Sequence, residues 1–390
     1  MPPSSTRLTC EDRLAMMESG PKALPTVIQK VLLSPELLDQ IIAHLDKTDL
    51  ARLSKVSKFW NWQCARHIWS TCHQLGHLLN VPLGRRAVIT PLIRHLRLTN
   101  VGCPWEESTS VNMPWLSKLR SVSMVFSDSS ASFDTRPLMN MLPETLHEFK
   151  LDNRAQPDSS STSLNQDRSI PHVPWVRTLD TGCSNLRSLT LNVELTPTQS
   201  TELDLLLLSA NLEELYLGPL LCKGIDDFTV AIILAQSALR ILEFRKILSL
   251  ESLQILQHQT EGQTILAAMD TLIVMIKGHV SQTLTTLVPY LSNLKTLHLA
   301  FNDQIEDSPW SPDPAIFFAI GRLKQLRQLH IRIKPVLTEG PDGEYTHTGL
   351  TVSDLISLSR LSLTGLSVQP LCAGAKHPLM LHQVDGHNLL

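Results

Sequence analysis

One short pattern, apolar-x-x-apolar-x-apolar, recurs along most of the chain and restricts its fold more than any other feature. Nine clear copies and a weaker tenth begin at Ile93, Leu119, Leu146, Leu186, Leu212, Leu239, Met269, Leu294, Leu326 and Leu358. Successive copies start 25 to 40 residues apart, and helix-like stretches such as TPTQSTELDLLLLSANLE and DPAIFFAIGRLKQLR fill the intervals. Since one strand and one helix cannot bury their apolar faces alone, stacked units must share a core. The pattern therefore predicts an α/β solenoid with parallel strands.

The strand pattern L-x-x-L-x-L, at this spacing, resembles that of leucine-rich repeat proteins over roughly residues 85–368. That family usually has Asn or Cys eight residues after the first Leu of a copy, and here only Asn302 meets this position. The turn side chains that satisfy neighbouring backbone groups are therefore mostly missing. We expect an irregular leucine-rich repeat horseshoe.

Segments that are poor in large apolar residues are expected to lie outside the packed core. Residues 152–169, DNRAQPDSSSTSLNQDRS, contain one Leu and no other large apolar side chain, so burial cannot offset the entropy of ordering them. We expect a flexible insertion there, a second surface loop at 335–348, and loose tails at 1–24 and 369–390.

A segment of a different type, at residues 25–75, precedes the repeats and is predicted to be helical. Ser34 is placed to cap a first helix, and Thr48 is placed to cap a second one. The first helix has an apolar stripe that is wider than one packing neighbour requires: Leu37, Leu38, Ile41, Ile42 and Leu45. About 40 residues form too small a core to use so many large apolar side chains, so part of this surface should cover something else.

The stretch LSPELLDQIIAHLDKTDLARLSKVSKFW, residues 33–60, resembles an F-box in the spacing of its apolar residues and in its terminal Trp. It departs from the family pattern at Ser34, where Pro is usual, and at Ser57, where Cys is frequent. The resemblance implies a small all-helical domain that binds a Skp-family adaptor, the subunit that links F-box proteins to the cullin scaffold of a ubiquitin ligase. The resemblance assigns this contact to Pro35, Leu38, Ile42, Leu45, Leu50 and Trp60. Leu53 and Val56 are expected to close the second helix on the first.

Composition and charge exclude several classes of function. A net charge of −3 gives no electrostatic reason to expect nucleic acid or an anionic membrane as a partner. No apolar run approaches the ~18 residues of a membrane-spanning helix. Glu11 and Asp12 stand where a signal peptide would need its apolar core. The seven cysteines form an odd, irregular set, so we expect a reducing intracellular compartment, cytoplasmic or nuclear.

Candidate metal and catalytic groups are few. One cluster has the spacing C-x7-C-H-x3-H but lacks the paired C-x2–4-C of structural zinc sites: Cys64, Cys72, His73 and His77. His298 and His330 hold equivalent positions in two copies and should lie close together, without a carboxylate or nucleophile in the same register. Motifs for phosphate or dinucleotide binding and for a nucleophile elbow do not occur. We expect no metal, no cofactor and no catalytic activity of the chain itself.

Outward-facing strand residues are the candidates for partner binding. Alternate residues of a strand face opposite ways, so the position between the last two apolar residues of each copy should point away from the core. Near the middle of the array, this position and the one two residues upstream combine apolar groups with carboxylates at Glu214, Tyr216, Ile241, Glu243 and Ile273. Exposed apolar and aromatic groups often mark interfaces, so we predict that a target protein with a basic or amphipathic segment binds here. Alternatively, a loop or a slipped strand register covers the two isoleucines.

Two classes of function remain open. In the first, the chain is the substrate-recognition subunit of an SCF-type cullin–RING ubiquitin ligase, with the F-box on the adaptor and the repeats on a target protein. In the second, the repeats form a protein-interaction scaffold without a ligase role. A hydrolase or metalloenzyme built on the repeats has less support.

Overall fold

The structure is a computed structural model, and it describes the chain in separate stretches. These are residues 34–73, 78, 80–99, 116–126, 142–153, 176, 179, 182–195, 197–222, 225–248, 266, 268–276, 280–301, 314–333, 337–339, 345–347, 358–359 and 361–370. The chain divides into two compact units: residues 1–99 with 105–123, and residues 100–104 with 124–390. No described helix is long and apolar enough to cross a bilayer.

The first unit begins with three short helices: α1, Pro35–Ala43; α2, Lys47–Leu53; and α3, Lys58–Ile68. Ser34 caps α1 as predicted, because its hydroxyl oxygen accepts a hydrogen bond from the N–H of Leu37 at 3.4 Å. The predicted Thr48 cap of α2 is wrong. Asp46 caps this helix instead, accepting from the N–H of Asp49 at 2.7 Å, so α2 begins before Thr48. A carboxylate one residue before the helix satisfies a free N–H of its first turn.

A strand follows α3 almost at once. This strand, β1, Thr71–Cys72, pairs in parallel with β2, His95–Thr99, and Cys72 lies opposite Leu96. The helix α4, Leu83–Ile89, lies between them in sequence. The apolar pattern predicts a first strand at the copy that starts at Ile93 and gives no signal for β1.

The repeats form an open parallel sheet of eleven strands, in which the strands lie in chain order. The remaining members of this sheet are β3, Ser121–Phe126; β4, Glu148–Asn153; β5, Ser188–Asn192; β6, Glu214–Leu217; β7, Ile241–Leu248; β8, Thr271–Ile276; β9, Thr296–Phe301; β10, Gln328–Ile333; and β13, Gly365–Pro370. A parallel sheet with strands in chain order needs a crossover after each strand, and the interval stretches supply it. The predicted solenoid of parallel strands is confirmed.

Helices occupy the predicted intervals of the second unit. They are α5, Pro197–Ser209; α6, Pro219–Cys222; α7, Asp227–Leu234; α8, Val280–Leu287; and α9, Pro314–Ile320. In α7, Asp226 is the N-cap and accepts from the N–H of Thr229 at 2.8 Å. Every residue of α7 from Thr229 to Leu234 is buried, so this part of the helix has no solvent-exposed polar face.

The core of the second unit is a stack of equivalent apolar residues. The central Leu of each copy is buried or partly buried and lies opposite that of the next strand, in the order Leu189, Leu215, Leu242, Leu272, Leu297, Leu329 and Leu366. Each strand therefore completes the apolar face of its neighbour.

Several strands lie outside the limits expected from the sequence. The final copy starts at Leu363 rather than Leu358, because Leu329 of β10 pairs with Leu366, and β13 runs to residue 370, beyond the predicted limit of 368. The predicted loop at 335–348 contains an antiparallel pair, β11, Leu337–Glu339, and β12, Tyr345–His347. The predicted insertion at 152–169 overlaps the last two residues of β4. Residues 154–169 and the predicted tail at 1–24 lie outside the described residues.

A row of mostly charged residues runs along the sheet at the position after the first apolar residue of each copy. The backbone carbonyl of Arg187 accepts from two successive N–H groups, those of Glu213 and Glu214, at 2.8 and 2.9 Å, and the same arrangement recurs along the sheet. Side chains of this row pair between copies: Arg187 with Glu213 at 2.8 Å, and Asp270 with Arg240 at 2.8 Å and with Lys295 at 2.7 Å. Such exposed pairs contribute about 0–1 kcal/mol each.

Candidate functional site

The outward face of the sheet brings together the five residues predicted to bind a target. In the register, Tyr216 of β6 lies opposite Glu243 of β7, which lies opposite Ile273 of β8. Glu214 and Ile241 form the equivalent pair two residues earlier. All five side chains are partly buried, and the flanking Leu residues of these strands face the core. The slipped register considered as an alternative is excluded.

A concave pocket of about 550 Å³ lies on this face over β4 to β7. Its ionisable lining residues are Glu148, Lys150, Asp152, Glu214, Tyr216 and Glu243. The pocket thus includes three of the five predicted residues and extends toward β4, away from Ile241 and Ile273. Its residues on β4 and β5, and Glu214 and Tyr216 on β6, alternate along their strands, so they stand on the same side of the sheet.

The end of the pocket near Gly218 is built by the side chain of Asn192. Its Nδ2 donates to Oδ1 of Asp152 at 3.0 Å and to the backbone oxygen of Asn153 at 3.2 Å. Its Oδ1 accepts from the N–H of Leu220 at 3.3 Å. Asn192 therefore ties the ends of β4 and β5 to the start of α6, and Gly218 leaves the space that this side chain fills. Asn192 thus forms hydrogen bonds with backbone groups of neighbouring copies, a role that we expected to be mostly missing. It lies two residues before the position at which the leucine-rich repeat pattern has its Asn or Cys.

The electrostatic environment of the pocket is acidic. Burial raises the pKa of the Tyr216 hydroxyl above its ordinary value, and the negative charges of Glu214 and Glu243 raise this pKa further. Lys150 is the basic residue of the lining, and its Nζ lies 3.9 Å from Oδ2 of Asp152. The hydroxyl of Ser188 donates to Oε2 of Glu214 at 3.0 Å, which fixes the position of that carboxylate.

The predicted proximity of His298 and His330 is confirmed, with ring centroids 4.1 Å apart. Burial lowers the pKa of His298, and the neighbouring His330 lowers it further. A charged imidazole at this distance disfavours the charged form of His298. The pair continues the row that contains Tyr216, Glu243 and Ile273.

The helical domain buries several of the side chains that the F-box resemblance assigns to adaptor contact. Leu38 and Ile42 are each 1% exposed, and with Leu50, Phe59 and Cys64 they form one core. Leu45 and Trp60 are partly buried and pack against this core. Pro35 is the first residue of α1. The contact stays a prediction for all six, but Leu38, Ile42 and Leu50 present almost no surface to a partner in this conformation.

Other apolar residues of the helical domain are exposed. Leu37 and Ile41 are each 43% exposed and lie four residues apart on α1, which places them on one face. Val56 is 67% exposed, so its predicted role in closing α2 on α1 is wrong, whereas Leu53 packs against the core. The wide apolar stripe of α1 therefore has two parts. Leu38 and Ile42 point into the core, and Leu37 and Ile41 are exposed to solvent.

No group of three or more metal-ligating residues is present in the described part of the chain. Of the Cys/His cluster weighed as a zinc site, Cys64 and Cys72 are buried, and His77 lies outside the described residues. Burial raises the pKa of Cys64. Thiols of this kind are less reactive than an exposed thiolate.

Sequence reasoning missed Asp152, Asn192 and Gly218 as parts of the pocket. Asp152 was assigned to the insertion because the residues after it are polar. Extending the alternation Glu148, Lys150 by one more step would have placed it on the outward face. The sequence contains no comparable signal for the contact between Asn192 and Gly218, since these residues lie in different copies.

Comparisons with known proteins bear on both parts of the chain. The leucine-rich repeat-containing protein LegL7 from Legionella pneumophila is similar over 70% of this chain and 90% of its own, with 13% identity and a TM-score of 0.35. A chain from the crystal structure of the Rad7 and Elc1 complex in yeast is similar over 91% of this chain and 83% of its own, with 15% identity and a TM-score of 0.45. At this level of similarity, the fold assignment depends on the strand order and register described above.

No curated protein matches the sequence. The family model of the F-box domain matches residues 32–61, a segment that includes α1, α2 and the start of α3. The chain thus carries an F-box domain at residues 32–61, followed by a leucine-rich-repeat-like sheet.

Proposed function

We propose that this protein is the substrate-recognition subunit of an SCF-type cullin–RING ubiquitin ligase. In this role, the F-box domain binds a Skp-family adaptor and the outward face of the sheet binds a target protein. The observation that carries the proposal is the F-box domain at residues 32–61. The chain itself supplies binding surfaces, and ubiquitin transfer belongs to the other subunits.

The exposed apolar pair on α1 supports adaptor binding and indicates where it occurs. Leu37 and Ile41 expose much of their apolar surface although the domain has its own buried core. Covering that surface with a partner removes it from water, at about 25 cal/mol per Å² of apolar area. We infer that these two residues, rather than Leu38 and Ile42, make the direct contact.

Co-purification tests the proposal. The full chain should co-purify with a Skp-family adaptor and a cullin, and Leu37→Asp/Ile41→Asp should abolish this, because a desolvated carboxylate at an interface costs several kcal/mol. A matched control is Leu83→Asp/Val88→Asp, which changes two exposed apolar residues of α4 in the same unit. This control should retain both subunits.

Two results would contradict the proposal. If the parent chain recovered neither subunit, the scaffold function without a ligase role would be favoured. If the α1 variant recovered as much adaptor as the control, the contact would lie elsewhere. Circular dichroism of both variants checks that they remain folded.

A further inference from the structure

The pocket over β4 to β7 has an excess of negative charge. Of its described lining, four side chains are carboxylates and one is an ammonium group: Glu148, Asp152, Glu214, Glu243 and Lys150. Lys150 lies near Asp152, at one end of the pocket. The remaining carboxylates surround the part of the pocket that contains Tyr216, so this part attracts a cation.

Tyr216 gives the pocket an apolar wall within this acidic surround. Its neighbours in the register are Thr190 on β5 and Glu243 on β7, and Glu214 precedes it by two residues on the same face. A carboxylate therefore stands on two sides of the aromatic side chain. Aromatic faces attract cations, and carboxylates bind a guanidinium with paired hydrogen bonds.

The pocket has the size to take one long side chain. Sites that enclose small ligands are typically about 300–1,000 Å³, and this one is about 550 Å³. An arginine side chain fits its chemistry better than lysine, because the guanidinium is planar, more weakly hydrated and able to stack on an aromatic ring while it pairs with carboxylates.

We propose that the pocket accepts an arginine side chain from a basic segment of the target protein. The proposal rests on the proposed function of this sheet face and adds the chemistry of the partner. The carboxylates of Glu214 and Glu243 bind the guanidinium, the ring of Tyr216 packs against it, and Lys150 opposes it by charge repulsion.

Peptide binding to the full-length chain tests this inference. The probe is a fluorescein-labelled peptide of three arginines, and the matched probe has three citrullines, which keep the shape and remove the charge. Fluorescence anisotropy should show binding of the arginine peptide and at least about tenfold weaker binding of the citrulline peptide, which corresponds to about 1.4 kcal/mol. Equal binding of the two probes would overturn the proposal.

Variants locate the binding in the pocket. Glu214→Gln/Glu243→Gln should weaken arginine-peptide binding about tenfold. Glu144→Gln removes a carboxylate from an exposed position outside the pocket and should leave binding within about twofold. Lys150→Gln should strengthen binding about threefold, because it removes the opposing charge. A structural defect would not strengthen binding, so this gain would support the charge mechanism. Unchanged or weaker binding by a Lys150→Gln variant whose circular dichroism matches that of the parent would overturn the proposal, even if the double variant were misfolded.

Adaptor binding by the same variants separates the two proposals. The pocket variants should bind the Skp-family adaptor as the parent does, since the F-box domain is unchanged. Failure of peptide binding with adaptor binding intact would overturn the arginine pocket alone. Failure of the parent chain to bind the adaptor would overturn the proposed ligase function, whatever the peptide result.

Discussion

Replacing Gly218 by Ala should destabilise the repeat array through the side chain of Asn192. A Cβ at position 218 would overlap Oδ1, Cγ and Cβ of Asn192. Because the overlap includes Cβ, rotating the Asn192 side chain cannot relieve it. The backbone at one of the two residues must therefore shift, and the Asn192 amide then loses its three hydrogen bonds with Asp152, Asn153 and Leu220.

The size of the effect follows from those contacts. A hydrogen bond within a folded protein contributes about 0.5–1.5 kcal/mol net, so the loss of three should cost about 3 kcal/mol in free energy of unfolding. Gly182 is a matched control, because a Cβ there would meet no atom within 4 Å. Gly182→Ala should change the stability by less than about 1 kcal/mol, and in the stabilising direction where the backbone permits Ala.

Urea denaturation followed by circular dichroism measures these differences, and a double-mutant cycle tests their cause. Asn192→Ala should cost nearly as much as Gly218→Ala. The double variant should cost little more than either single variant, because both remove the same hydrogen bonds. Full additivity would refute this reasoning, as would a loss for Gly218→Ala no larger than that for Gly182→Ala.

Three further changes test other contacts. Leu38→Ala should lower the free energy of unfolding of the helical domain by about 2–5 kcal/mol, because the side chain is buried; a thermal melt that shifts as little as for an exposed residue would contradict this. Hydrogen bonds from Lys295 and Arg240 hold the pKa of Asp270 below its ordinary 3.8. The ionised carboxylate therefore stabilises the folded state above pH 3.8, and this stabilisation is lost as the pH falls through the lowered pKa of the folded state. Urea denaturation should therefore show Asp270→Asn to be less stable than the parent near about pH 7, with the difference shrinking as the pH falls below 3.8. A difference that did not shrink in acid would contradict this reasoning. His330→Gln should raise the lowered pKa of His298 toward 6.5, measured by NMR titration, and an unchanged pKa would show that the pair does not interact.

The spacing of the apolar pattern predicted where most strands lie and which of their side chains point into the core. In β5 and β6, the apolar residues are buried and Thr190 and Tyr216 face outward, because period-two alternation leaves a strand only one way to bury its Leu residues. The five predicted target-binding residues come together for the same reason. These features are local to one copy and its spacing.

Features that depend on pairing between copies could not be predicted in the same way. The segments that start at Leu358 and Leu363 both fit the apolar pattern, and only pairing with β10 selects the second. Likewise, α1 has apolar residues in several directions, and only its packing against α2 and α3 places Leu38 in the core and leaves Leu37 exposed. A single sequence gives no direct information on such contacts.

Hydrogen–deuterium exchange of the full chain, with and without a purified Skp-family adaptor, tests the proposed function most directly. We predict slower exchange on adaptor addition in peptides that cover residues 35–43, and unchanged exchange in peptides that cover residues 214–217 and 241–248. Bound partners slow the opening of the segments that they cover. No change in the F-box domain at saturating adaptor, or protection confined to the sheet, would contradict the assignment of the chain as an F-box subunit of a ubiquitin ligase.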